Sequence, residues 1–245
     1  MNFPEELARP TKEAGATPPP NLTYRGGPLL KNVQVFTLFW GSAWGGPSMK
    51  SVIDEINKFF QFILTSSLVD QLAEYDRPNF KIGHGSFVGT TTISKPALKS
   101  SVSDKVIQHV LQQEIGTNKS IPQPNPDLLY FVYLPPGVAV VQGGGKSCQV
   151  FCGYHDNIGG QIFYAPMPYP GCPGCNGAAS GLTVIEALTS TSSHELCEAI
   201  TDPVPGQGWY DDYHGEIGDI CSWRTKKVGI YAVQKEWSDS SKSCN

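Results

Sequence analysis

The chain has 245 residues, enough for one large domain with a proper core, and a formal net charge of −4, which argues against a general nucleic-acid or anionic-membrane binder. No apolar run is long enough to cross a bilayer. With 26 glycines and 20 prolines, the expected build is rich in turns and loops.

Residues 1–28 read as an extended N-terminal arm, followed by a single domain over 29–245. Pro18-Pro19-Pro20 is incompatible with helix, and Gly26-Gly27-Pro28 reads as a turn. The first 20 residues hold no apolar core and no cleavage-like site. Residues 32–40 alternate, with Val33, Val35, Thr37 and Phe39 on one side, which predicts a strand. Ser48 is placed to cap a helix over 49–64, with Val52, Ile56, Phe59, Phe60 and Ile63 as its core face. A second helix is expected over 104–115, capped by Ser103 and stopped by Gly116, with Val106, Ile107, Val110, Leu111 and Ile115 as its apolar stripe. Pro122, Pro124 and Pro126 then precede an apolar strand over 128–134. Short strands follow over 138–141 and 161–165, then a loop of Cys, Gly and Pro over 168–177. A helix is expected over 182–201, ended by Pro203. Its Ser/Thr run, Thr189 to Ser193, is unfavourable in isolation, so tertiary packing has to hold it. The tail from 208 reads as loops, a short helix or turn near Glu216, and a strand over 228–233.

Seven cysteines favour an oxidising compartment, hence a secreted or extracellular protein. The economical pairing is local: Cys148 with Cys152, Cys172 with Cys175, and Cys221 with Cys244. Cys197 is left free, because a residue in mid-helix is poorly placed for bridging. The alternative is a structural zinc site from the first four.

The chemistry concentrates in Ser193-His194-Glu195-Leu196-Cys197-Glu198. Residues four apart share a helix face, so His194 and Glu198 can hold one metal ion together. Glu195 lies about 100° away around the helix, where it reaches a metal-bound water and acts as general base. A third ligand has to come from elsewhere. Glu216, 18 residues after Glu198, competes with Asp202 and, more weakly, with Asp219. His155 and His84 read as hydrogen-bonded structural histidines. Tyr210, Tyr213 or His214 could stabilise an oxyanion, and strand 161–165 could pair with an extended peptide. One His with two carboxylates neutralises a divalent ion and polarises water less than two imidazoles would. Zinc is the expected ion, with calcium or manganese as alternatives.

Six segments occur in an order that resembles a known family. They are Tyr24-Arg25-Gly26-Gly27-Pro28-Leu29-Leu30, Leu38-Phe39-Trp40-Gly41, Cys148-Gln149-Val150-Phe151-Cys152-Gly153-Tyr154-His155, Cys172-Pro173-Gly174-Cys175, the run from His194 to Pro203, and Glu216-Ile217-Gly218-Asp219-Ile220-Cys221. Together they resemble the plant phosphate-induced, EXORDIUM-like proteins and their microbial relatives. The Cys-Pro-Gly-Cys turn is one residue shorter here, and Asp202 stands where plant members usually have Asn. The resemblance implies an α+β, zincin-like mixed sheet with an active-site helix, an extracellular location, and site roles for His194, Glu195, Glu198 and Glu216. It raises Glu216 above Asp202 as third ligand, because an Asn at position 202 would remove that carboxylate.

Two functions follow as expectations. One is a zinc-dependent metallopeptidase of His-Glu-x-x-Glu type, acting on a peptide or protein substrate. The other is a non-catalytic extracellular binding or signalling protein with a structural metal, in which aromatic residues such as Trp40, Trp44, Trp209, Tyr210 and Trp223 form a ligand surface.

Overall fold

A computed structural model describes residues 17–177 and 181–245. Most of the expected N-terminal arm, 1–16, lies outside the described residues. In chain order the elements are β1 (Thr23–Tyr24), β2 (Gln34–Trp40), α1 (Pro47–Ile63), α2 (Ser67–Asp70), β3 (Ser86–Ile93), β4 (Ser101–Ser103), α3 (Asp104–Thr117), β5 (Leu128–Tyr133), β6 (Ala139–Gln142), β7 (Gly145–Lys146), β8 (Asp156–Ile158), β9 (Ile162–Met167) and α4 (Val184–Thr201). After α4 come β10 (Trp209–Tyr210), β11 (Thr225–Val228), β12 (Tyr231–Gln234), β13 (Trp237–Ser238) and β14 (Ser243–Cys244). The class is α+β, with helices packed on mixed sheets.

The main sheet has five strands in the order β3-β2-β5-β9-β8. The first four run parallel, and β8 adds an antiparallel edge beside β9. Side chains alternate between the two faces of a strand. Val35, Phe39, Leu129, Phe131, Tyr133 and Phe163 therefore meet α1 and α4 on one side. Phe36, Leu38, Trp40, Tyr130, Val132 and Tyr164 meet α3 on the other. Val33, Val35 and Phe39 do share one face, as expected, but the opposite face is covered too: β2 is central, and every residue from Val35 to Trp40 is buried. Strand β3 carries no apolar run, and the periodicity rules gave no sign of it; its alternating exposure is that of a sheet edge.

Two helices depart from expectation, α1 at its start and α3 at its end. Gly46 is the N-cap of α1, and Pro47 takes the first helical position, where its missing N–H costs nothing, so Ser48 lies inside the helix. Helix α3 does begin at Asp104 but runs through Gly116 to Thr117, and its Val106 is exposed. The described part of the arm is tied down as well. β1 pairs with β10, Leu22 is buried, and the Asn21 backbone N–H donates to Asp211 Oδ2 at 2.8 Å.

The disulfides correct two expected pairings. Cys148 bonds Cys172 and Cys152 bonds Cys175, while Cys221–Cys244 and the buried free Cys197 are as expected. The segment before β8 and the loop after β9 lie side by side, so each bond crosses between them rather than closing a tight local ring. With all four of these thiols in disulfides, the alternative cysteine zinc site falls away.

Candidate metal centre

Helix α4 opens with a reciprocal cap. The Thr183 side chain accepts from the Glu186 N–H, and the Glu186 carboxylate accepts from the Thr183 N–H. The Ser/Thr run is then satisfied by its neighbours. Thr189 Oγ1 donates to the Ala232 carbonyl at 2.7 Å, Ser192 and Tyr133 share a 2.7 Å hydrogen bond, and Ser193 Oγ accepts from the Gln234 N–H. Residues with poor helix propensity thereby lock α4 onto β5 and β12, and the motif turn is held rigid.

On that turn His194 Nε2 and Glu198 Oε2 stand 3.2 Å apart, and Glu195 Oε1 is 3.9 Å from the same nitrogen. His155, just before β8, approaches from the far side. Its Nδ1 is 3.5 Å from Glu195 Oε2 and 3.6 Å from Glu198 Oε2, and its Nε2 is 3.4 Å from Glu216 Oε1. The Asp219 N–H donates to Glu198 Oε1 at 3.0 Å, and Asp219 Oδ1 lies 4.0 Å from His194 Nε2. Behind His194, Gln234 Nε2 sits 2.6 Å from Nδ1 and donates to the Gly218 carbonyl at 2.8 Å. A Cβ at Gly218 would fall 2.5 Å from His194 Nδ1, so only glycine lets the backbone pass so close to the ring.

Two overlapping groups result. Ligand atoms of His155, Glu195 and Glu198 lie within 4.8 Å of one another, and so do those of His194, Glu198 and Asp219. Burial disfavours charge on both imidazoles, but the facing Glu216, Glu195 and Glu198 at His155, and Glu198 and Glu195 at His194, outweigh it and raise both pKa values. Burial, reinforced by Glu198 against the pull of His155, pushes Glu216 up to about 8. The cluster is therefore a strongly electronegative pocket. Glu195 Oε2 and Glu216 Oε1 are buried and have no hydrogen-bond partner among the described residues. It opens on a cleft of about 400 Å³, whose lining includes Tyr154, Asp156 and Asn157 beside the cluster.

The placement of the expected site residues divides. His194, Glu195 and Glu198 come together. Glu216 lines the cleft but faces His155 from behind, and the group around His194 is completed by Asp219 instead. Asp202 is taken up in ending the helix, where its carboxylate accepts from the N–H groups of Gly206, Gln207 and Gly208. Tyr210 and His214 lie away from the cleft lining. Tyr210 sits in β10 under the Arg25 guanidinium, and His214 Nδ1 is 2.9 Å from Asp211 Oδ1. Strand β9 is paired on both sides, so the free edge beside the cleft belongs to β8. Among the aromatic residues expected at a ligand surface, Trp40 and Trp44 are core, and Trp223 is exposed.

His155 is the participant that sequence reasoning set aside. It stands 39 residues before His194, and no helical or strand period links the two. Its only signal was its place at the end of the Cys-Gly-Tyr-His run. No protein-family model matches the chain, and no curated protein matches it.

Proposed function

We propose that the protein is a metal-dependent hydrolase of peptide bonds, a His-Glu-x-x-Glu peptidase of zincin-like build, exported and related to the phosphate-induced, EXORDIUM-like proteins. The observation that carries this reading is the motif turn itself. His194 Nε2 and Glu198 Oε2 face one another at 3.2 Å, with buried Glu195 beside them and a cleft in front. Two ligands of a tetrahedral zinc with bonds of ~2.05 Å lie roughly 3.4 Å apart, so the donor pair fits such an ion. The unpartnered Glu195 oxygen fits a pocket made for positive charge. His194, Glu198 and Asp219 are the residues that would hold the ion, with Glu216 as the competing carboxylate. Zinc suits the imidazole, while calcium or manganese suits the carboxylates. A divalent cation there supplies Lewis acidity toward a scissile carbonyl and toward water.

The protein's own groups do the rest. Glu195 Oε1, on the His194 side, accepts a proton from the attacking water and returns it to the leaving amine. The free edge of β8 offers backbone groups to an extended chain, laying it across the cleft. Gln234 Nε2 packs 2.6 Å behind the His194 ring and limits its rotation. Three disulfides support export.

The test is digestion of a mixed peptide library by the zinc-loaded chain, with and without chelator. Cleavage that stops with chelator and falls at least about 100-fold in Glu195→Gln is expected. Full activity in Glu195→Gln, or inactivity of the loaded chain on every peptide, sinks the reading. A chelator that lowers Tm with no peptide cut points instead to the non-catalytic protein with a structural metal.

A further inference from the structure

His155 Nε2 lies 3.1 Å from the Asp202 carbonyl oxygen. A carbonyl only accepts, so Nε2 carries the ring's proton and donates there. Its Nδ1 faces Glu195 Oε2 at 3.5 Å and Glu198 Oε2 at 3.6 Å. Those distances are wider than a charge-assisted hydrogen bond, and they space one ring nitrogen and two carboxylate oxygens as ligands around a single position. Glu195 is 2 % exposed, and its Oε2 has no hydrogen-bond partner among the described residues.

Charge leads to the same place. Glu195, Glu198, Glu216 and Asp219 converge on this pocket, and among the described residues no lysine or arginine pairs with any of them. The ligand atoms also separate into two groups: His155 belongs to one, His194 to the other, and Glu198 to both.

We propose that His155, Glu195 and Glu198 form a second divalent-cation site, adjoining the His194 site and sharing Glu198 with it, so that the centre is dinuclear. This rests on the reading above that His194 and Glu198 hold a cation. Glu195 meets the second position with Oε2 and keeps Oε1 on the His194 side. The Asp202 carbonyl, which accepts from Nε2, orients the ring, as an outer carbonyl does for a metal-bound imidazole, and Glu216 Oε1 lies 3.4 Å from the same nitrogen. One imidazole with two carboxylates suits zinc or manganese. Paired ions at about 3.5–4 Å clamp both the attacking and the leaving atom of a hydrolysed bond.

The experiment is metal stoichiometry on the full chain. Protein is stripped with chelator and titrated with zinc, then with manganese, by calorimetry. Bound metal is counted by mass spectrometry, and crystals give anomalous difference maps. Wild type is expected to hold two ions. His155→Gln and His194→Gln are each expected to hold one, with the remaining peak at the other group. Glu195→Gln carries the same expectation as His155→Gln, should the latter melt early in chelator. One ion in wild type that His155→Gln leaves in place overturns the second site and leaves the proposed function standing. One ion lost in both histidine variants means a single ion spans both imidazoles, which also overturns it. No bound ion in wild type removes the proposed function as well.

Discussion

Gly218→Ala tests whether the motif turn is held by the backbone that passes behind it. Gly218 has φ −80° and ψ −37°, a conformation alanine adopts freely. Its cost is therefore steric rather than conformational. The new Cβ would fall 2.5 Å from His194 Nδ1 and 2.9 Å from Glu198 Oε1. Neither neighbour can yield easily: Gln234 packs behind the imidazole and limits its rotation, and the Asp219 N–H holds the carboxylate. Overpacking of this kind costs about 1–3 kcal/mol, and the smaller unfolded-state entropy of alanine returns roughly 0.4–1 kcal/mol. A net loss of about 1–2 kcal/mol is expected in urea unfolding with chelator present. Zinc affinity by calorimetry should fall about 10–100-fold, as when an outer partner of a metal histidine is lost. Gly116→Ala is the control. A Cβ there meets nothing within 4 Å, and the residue lies within α3, so a gain of about 0.5–1 kcal/mol is expected. If Gly218→Ala matches wild type in both measurements, His194 and Glu198 are not held in the way described.

Zinc at a free concentration about 100-fold above Kd should add about 2.7 kcal/mol. With an unfolding entropy of roughly 0.5 kcal/mol/K for a chain of this length, that raises Tm by about 5 °C, and a scanning-calorimetry shift near zero would count against any bound ion. The paired change Cys221→Ala and Cys244→Ala opens a link between residues 23 apart and should cost about 3.4 kcal/mol by the loop-entropy relation, read from urea unfolding under oxidising conditions. At the start of α4, hydrogen bonds from Lys227 and Thr183 hold the Glu186 carboxyl down to about 2, below its ordinary 4.5. A depressed carboxyl stabilises the fold above pH 4.5 and loses that contribution as the pH falls toward 2. The stability difference between wild type and Glu186→Gln should accordingly be full at neutral pH and shrink across that window in acid-unfolding series; a difference independent of pH refutes the cap's ionic part.

Local chemistry was legible where its period is short. His194 and Glu198 are one turn apart, so any helix through them places both on one face, and the structure does bring them together at 3.2 Å. The apolar spacing of α1 and the apolar run of β5 were readable for the same reason, since burial of Ile56, Phe59, Phe60 and Ile63 follows from the helix period alone. Strand β3 was not, because an edge strand alternates without needing apolar residues.

By itself the sequence determined the motif turn, its helix and most strands of the sheet, because each depends on residues a few positions apart. Only the tertiary structure decided what surrounds that turn. Closing β8 onto β9 brings His155 against Glu195 and Glu198, and the loop after α4 brings Asp219 rather than Glu216 to His194. The partners of Cys148 and Cys152 were settled in the same way, by two segments laid side by side. These are encounters across tens of residues, set by how loops close over a packed core, and no spacing rule in the chain carries that information.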